Sequence, residues 1–223
     1  MALLLTNVDG FQARAVLEGP PSAERFNIVA GGLMERGGKL LFTPERVPTA
    51  DKHSRAEDFS YIWDVGENRG YMLNGPLQGY APVSSNARFT NVVVGSKHLA
   101  PEKVAGHPCE QTEATVAASD GRTLTFHVWR ATDLKDLAVR ITCAPEGKPL
   151  TLTLSKVRLE QPPSDLFLPP DGFTKYSSAE GMVSELAARQ ENLKQKHGWQ
   201  PPPSDEIGFR DAKAPVRSQP PQP

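Results

Sequence analysis

V-A-G-H-P-C-E-Q-T-E-A-T-V-A-A-S (residues 104–119), Asp120-Gly121 and R-T-L-T-F-H-V-W-R-A (122–131) are followed by a six-residue connection (132–137) and A-V-R-I-T-C (138–143). Asp-Gly between two β-prone runs is a strong hairpin signal, because both central residues of a tight type I′ turn need positive φ. The stretch therefore predicts a three-strand antiparallel meander. A two-residue loop at Asp120-Gly121 pairs Ser119 with Arg122, sets Cys109 level with Thr132, and brings Cys143 back to the level of Thr125. At about 3.3–3.4 Å per residue the two sulfurs then lie roughly 20 Å apart along the strands, whereas a disulfide needs Cα atoms within about 7 Å. No disulfide is expected between Cys109 and Cys143; both read as small buried hydrophobes.

The same patterning extends in both directions. Residues 11–18 alternate, with Phe11, Ala13, Ala15 and Leu17 on one face. Residues 24–35 form a longer strand, and Gly31-Gly32 inside it predicts a bulge or bend. Arg36-Gly37-Gly38 turns the chain into residues 39–43. In residues 59–65, Phe59, Tyr61, Trp63 and Val65 share a face at period two. Residues 66–69 turn back into G-Y-M-L-N, a Gly/Pro/Ser-rich connection covers 75–86, and residues 89–95 form a further strand. After the meander, Leu150, Leu152 and Leu154 alternate with threonines. The count is about ten strands, with short connections that favour antiparallel neighbours.

One helix is predicted. Ser177 and Glu180 have capping-box spacing, Met182, Val183, Leu186 and Leu193 form an apolar stripe, and Gly198 is a stop. The reading is a mainly β (α+β) domain over residues 1–198, a strongly curved, half-open antiparallel sheet covered by a C-terminal helix. Residues 199–223 are a Pro-rich tail expected to stay disordered.

The chain has 223 residues and a formal net charge of −1. It can bury a core as one domain, and it has no overall basic field to collect nucleic acid. The apolar run at residues 1–5 is too short for a signal peptide or a membrane span, although a trimmed leader would leave the same appearance.

Four places resemble the LolA/LppX-like superfamily of bacterial lipoprotein-carrier and lipid-binding proteins. They are Y-I-W-D…G-Y-M-L-N followed by Gln78-Gly79-Tyr80-Ala81-Pro82; V-A-G-H-P-C opening a strand; V-W-R-A-T-D-L-K-D-L-A-V-R-I at 128–141; and D-L-F-L-P-P-D-G-F-T-K-Y at 165–176. The likeness covers residues 11–190. It implies a curved sheet whose concave apolar face is covered by helices, in a protein of the periplasm or cell envelope. The chain departs from that pattern in showing one strong helix where carriers have several, and it shows no lipobox cysteine near its start.

The chemistry-bearing residues are sparse. His107 and Cys109 share a strand face across Pro108, but a metal there would need further ligands from elsewhere. Pro108 otherwise marks the start of a strand. Gly37-Gly38-Lys39 lacks the Ser/Thr and the following helix of a phosphate-binding loop, and no G-x-S-x-G elbow is present. Asp133 and Asp136 flank Lys135 in a loop and read as solvated. No cofactor and no catalytic residue is assigned.

Tyr61, Trp63, Met72, Phe126 and Trp129 are the candidate ligand-binding residues, set against the simpler role of core filling. Phe126 and Trp129 stand on opposite faces of one strand, which fits a sheet covered on one side and curved around contents on the other. The leading expectation is a noncatalytic envelope protein that binds a lipid, a lipoprotein acyl chain or another hydrophobic ligand on its concave face. The alternatives are a module that contacts an envelope protein or senses stress, and an enzyme with a small polar pocket.

Overall fold

The computed structural model describes residues 4–5, 7–19, 28–45, 59–84, 89–118 and 123–198. In chain order the strands are β1 (Phe11–Glu18), β2 (Ile28–Arg36), β3 (Lys39–Pro44), β4 (Phe59–Asp64), β5 (Arg69–Asn74), β6 (Gly79–Ser84), β7 (Phe89–His98), β8 (Glu102–Val104), β9 (His107–Ala118), β10 (Thr123–Ala131), β11 (Leu137–Cys143), β12 (Leu150–Arg158) and β13 (Thr174–Lys175). One helix follows, α1 (Ala179–Gly198). The strands make one curved, unclosed sheet in the order β13-β6-β5-β4-β3-β2-β1-β12-β11-β10-β9-β7, with β8 paired to β9. Every pairing is antiparallel except that of β13 with β6. By internal contacts, residues up to Ser184 form one compact unit and residues from Glu185 form another.

The predicted meander is present as β9-β10-β11, but its register differs by one residue. Ala117 pairs with Thr123, and Cys109 pairs with Ala131 rather than Thr132. These pairs enclose an odd number of residues, which a two-residue turn cannot do. Asp120-Gly121 itself lies outside the described residues. Cys143 pairs with Phe126, so the cysteines remain five positions apart along β10. Both thiols are free and buried, and burial pushes each above its usual value.

No bulge occurs at Gly31-Gly32. Both residues pair in unbroken register with β1 and β3. Gly31 is required by a close approach instead, because a Cβ there would sit 2.4 Å from the Thr43 carbonyl oxygen and 2.8 Å from the Phe42 ring. The sheet's irregularity falls on β1, between Gln12 and Arg14 opposite β12.

Three strands lie beyond the ten expected from sequence. β6 occupies what reads as a Gly/Pro/Ser-rich connection. It carries Pro82 opposite Tyr71, a placement that suits a strand near a sheet edge. β8 forms because Ala105 (φ 50°) and Gly106 (φ 95°) make a tight turn into His107. β13 adds two residues along β6, and Tyr176 donates its backbone N–H to the Tyr80 carbonyl at 2.8 Å.

The helix begins one residue later than the capping box predicts. Ser178 Oγ accepts the Gly181 N–H at 3.1 Å. Glu180 therefore falls one position short of the place from which it could complete a box. Met182, in the first turn, has no exposed surface, and the helix ends at Gly198. The Pro-rich tail lies outside the described residues.

Candidate ligand-binding face

Alternation along the strands gives the sheet two faces of different chemistry. The core face carries Phe11, Ala13 and Ala15 on β1, Leu33 on β2, Leu40 on β3, Phe126 and Val128 on β10, Ile141 on β11 and Leu154 on β12. These residues form one buried cluster, into which Leu4 and Leu5 from the N-terminal turn also pack. On the opposite, outer face, β9–β12 present threonines with Arg140 and His127. There β2–β6 present Met34, Leu41, Ile62, Tyr71, Leu73 and Tyr80, on which Phe167 sits.

The core face is sealed at Val128, Ile141 and Leu154 on β10, β11 and β12, which have no exposed surface, while Leu124, Leu150 and Leu152 nearer the strand ends are half-buried. It is more open along β3 and β4. Phe42 and Trp63 are half-buried against the cluster, and Tyr61 keeps 39 % of its surface exposed. The Tyr61 phenol is nonetheless pushed above its usual value by desolvation. Pairing sets Tyr61 between Phe42 and the buried Met72, and Trp63 between Leu40 and Gly70. Gly70 has no room for a side chain, since a Cβ would lie 1.9 Å from the Ile62 carbonyl oxygen.

Of the five candidate residues, Tyr61, Trp63, Met72 and Phe126 stand on the core face. Tyr61, Trp63 and Met72 are neighbours on β4 and β5, while Phe126 lies six strands away within the sealed part of the cluster. Trp129 stands on the outer face. Its indole N–H donates to Glu102 Oε2 at 2.8 Å, and the Arg140 guanidinium lies 5.6 Å from its ring centroid. Trp129 packs in a small separate cluster with Val104, Cys109, Ala131 and Val139.

His107 directs Nδ1 to Asp133 Oδ2 at 2.8 Å, so Asp133 is paired rather than merely solvated. Cys109 Sγ donates to the His107 carbonyl at 3.4 Å. Among the described residues no group of three or more His, Cys, Asp or Glu side chains is gathered to hold a metal ion.

Sequence reading overlooked Glu35. It is fully buried on the core face, between Phe11 and Leu40 on the paired strands. Oε1 accepts the Gly38 N–H at 2.8 Å, while Oε2 has no hydrogen-bond partner among the described residues. Burial raises its pKa, the Gly38 hydrogen bond opposes that shift, and the nearby Asp9 charge adds to it. The signal was present in the sequence as a carboxylate at an inward position of the period-two series Gly31, Leu33, Glu35.

No helix among the described residues is long and apolar enough to cross a membrane. No protein-family profile and no curated protein matches the chain. Solved structures do match. PNGF-II is 14 % identical with a TM-score of 0.39; the match covers 75 % of this chain and 31 % of that one, so the chain spans about a third of that protein. A LolA superfamily protein of Nitrosomonas europaea is 11 % identical with a TM-score of 0.41, over 75 % of this chain and 93 % of that one. The lipoprotein LppX of Mycobacterium tuberculosis is 9 % identical with a TM-score of 0.41, over 70 % and 92 %. The last two matches fall in the group that the sequence motifs resemble.

Proposed function

We propose that this chain is a noncatalytic binding protein of the bacterial cell envelope that holds an acyl chain or similar hydrophobic ligand against the open part of its core face. One observation carries the reading. A face that buries Val128, Ile141 and Leu154 completely on β10–β12 leaves aromatic surface, led by Tyr61, uncovered along β3 and β4. Transfer of an acyl chain from water gains about 0.8 kcal/mol per CH₂, so a short stretch of contact supports useful affinity. Tyr61 can lie along the chain with its ring and offer its hydroxyl to a polar head. Trp63 and Met72 extend the same surface.

Solvent extraction and mass spectrometry of the purified protein should recover lipid. A fluorescent fatty acid should bind the delipidated protein, and Tyr61→Asp with Trp63→Ser should weaken it severely while thermal unfolding stays cooperative. An empty extract together with no uptake of the fatty acid would overturn the reading.

A further inference from the structure

The segment after β12 crosses the outer face and leaves a cavity that the core-face ligand does not use. A 3₁₀ turn, Ser164–Phe167, plants Phe167 on Ile62 and Leu73. Pro169-Pro170 and a turn at Gly172 (φ 81°) then lead into β13, which anchors the segment to β6. Thr174 donates its backbone N–H to Gln78 O at 2.8 Å, and Phe173 donates to Pro170 O at 3.2 Å. The segment is thus fixed at both ends.

Between it and the sheet is a cavity of about 530 Å³, within the range of small-molecule sites. Leu41, Ile62 and Leu73 form its floor, and Leu168, Pro170 and Phe173 wall it. Leu166 and Leu168 expose 40 % and 55 % of their surface at its edge. Its lining also includes two carboxylates, Asp165 and Asp171, and among the described residues no lysine or arginine. Neither carboxylate side chain meets a cation or a hydrogen-bond donor among the described residues. A neighbouring cavity of about 470 Å³, on the Phe167–Leu168 side, has a mixed lining of Lys39, Arg69 and Lys175 with Asp64 and Glu67. Of these two cavities, only the first has ionisable side chains of a single sign.

We propose that this outer-face cavity is a second binding site, selective for a cationic amphiphile: an amine that carries an apolar body. The hydrocarbon enters over Ile62 and Leu73, and the ammonium group rests between Asp165 and Asp171. An apolar floor with unneutralised carboxylates repels a fatty-acid headgroup, so the site is distinct in chemistry as well as in face from the acyl site proposed above.

The test is amide NMR on the full chain, titrated with n-octylammonium, n-octanoate and n-octanol. Octylammonium should move the amides of residues 165–168 and 171–173 and of β4 and β5, and should bind more tightly than either other probe. Asp165→Asn with Asp171→Asn should weaken octylammonium by about fivefold, which is about 1 kcal/mol shared between two exposed ion pairs. The double variant should leave fatty-acid retention unchanged. On the unaltered protein, added salt should weaken octylammonium and not octanol. Equal affinity for the three probes, a double variant that binds octylammonium as well as the parent, or shifts confined to the neighbourhood of Tyr61 and Trp63 would each overturn the proposal.

Discussion

On β10, β11 and β12, Val128, Ile141 and Leu154 have no exposed surface, whereas on β3 and β4 the same face shows half-buried Phe42 and Trp63 and an exposed Tyr61. The closed part buries branched aliphatic side chains around the ring of Phe126. The open part uses aromatics, which retain large surfaces when one edge faces solvent. The same face of one sheet is therefore deeply buried at one part and partly exposed at another.

Leu154→Ala breaks the comparison most sharply. Leucine truncation at a sealed site costs about 2–5 kcal/mol, since the transfer term and the cavity term add. Urea unfolding should show that loss in the midpoint, with the slope unchanged. A cost under 1 kcal/mol would mean that the closed part carries no more of the stability than the open part.

Glu35 supplies an intermediate effect. A buried carboxyl with a raised folded pKa contributes fully while protonated. That contribution is lost as pH rises from the ordinary carboxylate range through the raised value. The parent protein should therefore lose stability across that window, and Glu35→Gln should flatten the slope, with a gain of about 1 kcal/mol above the window. Parallel pH profiles of the two proteins would show that Glu35 does not titrate with folding.

Tyr61→Ala should have the smallest effect on stability, within about 0.5–1 kcal/mol, as for exposed positions in general. Retention of apolar ligand should nevertheless fall. A loss of stability equal to that of Leu154→Ala would erase the distinction between the two parts.

Period-two alternation made most of the sheet readable before any coordinates. β1, β4, β10 and β12 begin or end within a residue or two of their expected limits, and the opposition of Phe126 and Trp129 was visible from spacing alone. Other features depend on partners distant in sequence. β6 reads as a connection because Gly79 and Pro82 are poor strand formers in isolation, yet β5 supplies its ladder. β13 has two residues and no periodicity to detect. Gly31 reads as a bend until the Phe42 ring and Thr43 carbonyl are seen to occupy the space of a Cβ. At the candidate site, the aromatic run of β4 was legible, but which of its members stays exposed depends on what the whole sheet leaves uncovered. The cavity beneath residues 165–173 was hidden for the same reason: its floor and walls come from separated segments.

The pairing of β1 with β12 sets Ala15 beside Leu154. Its two partners at this seam lie far apart along the chain, so the middle of the sheet is among the last parts that synthesis can complete. Until the later strand emerges, the early hairpins have an unpaired edge open to other chains. High contact order of this kind slows folding. A factor that delays collapse, or shields that edge until the later strand arrives, would act on this joint before any other.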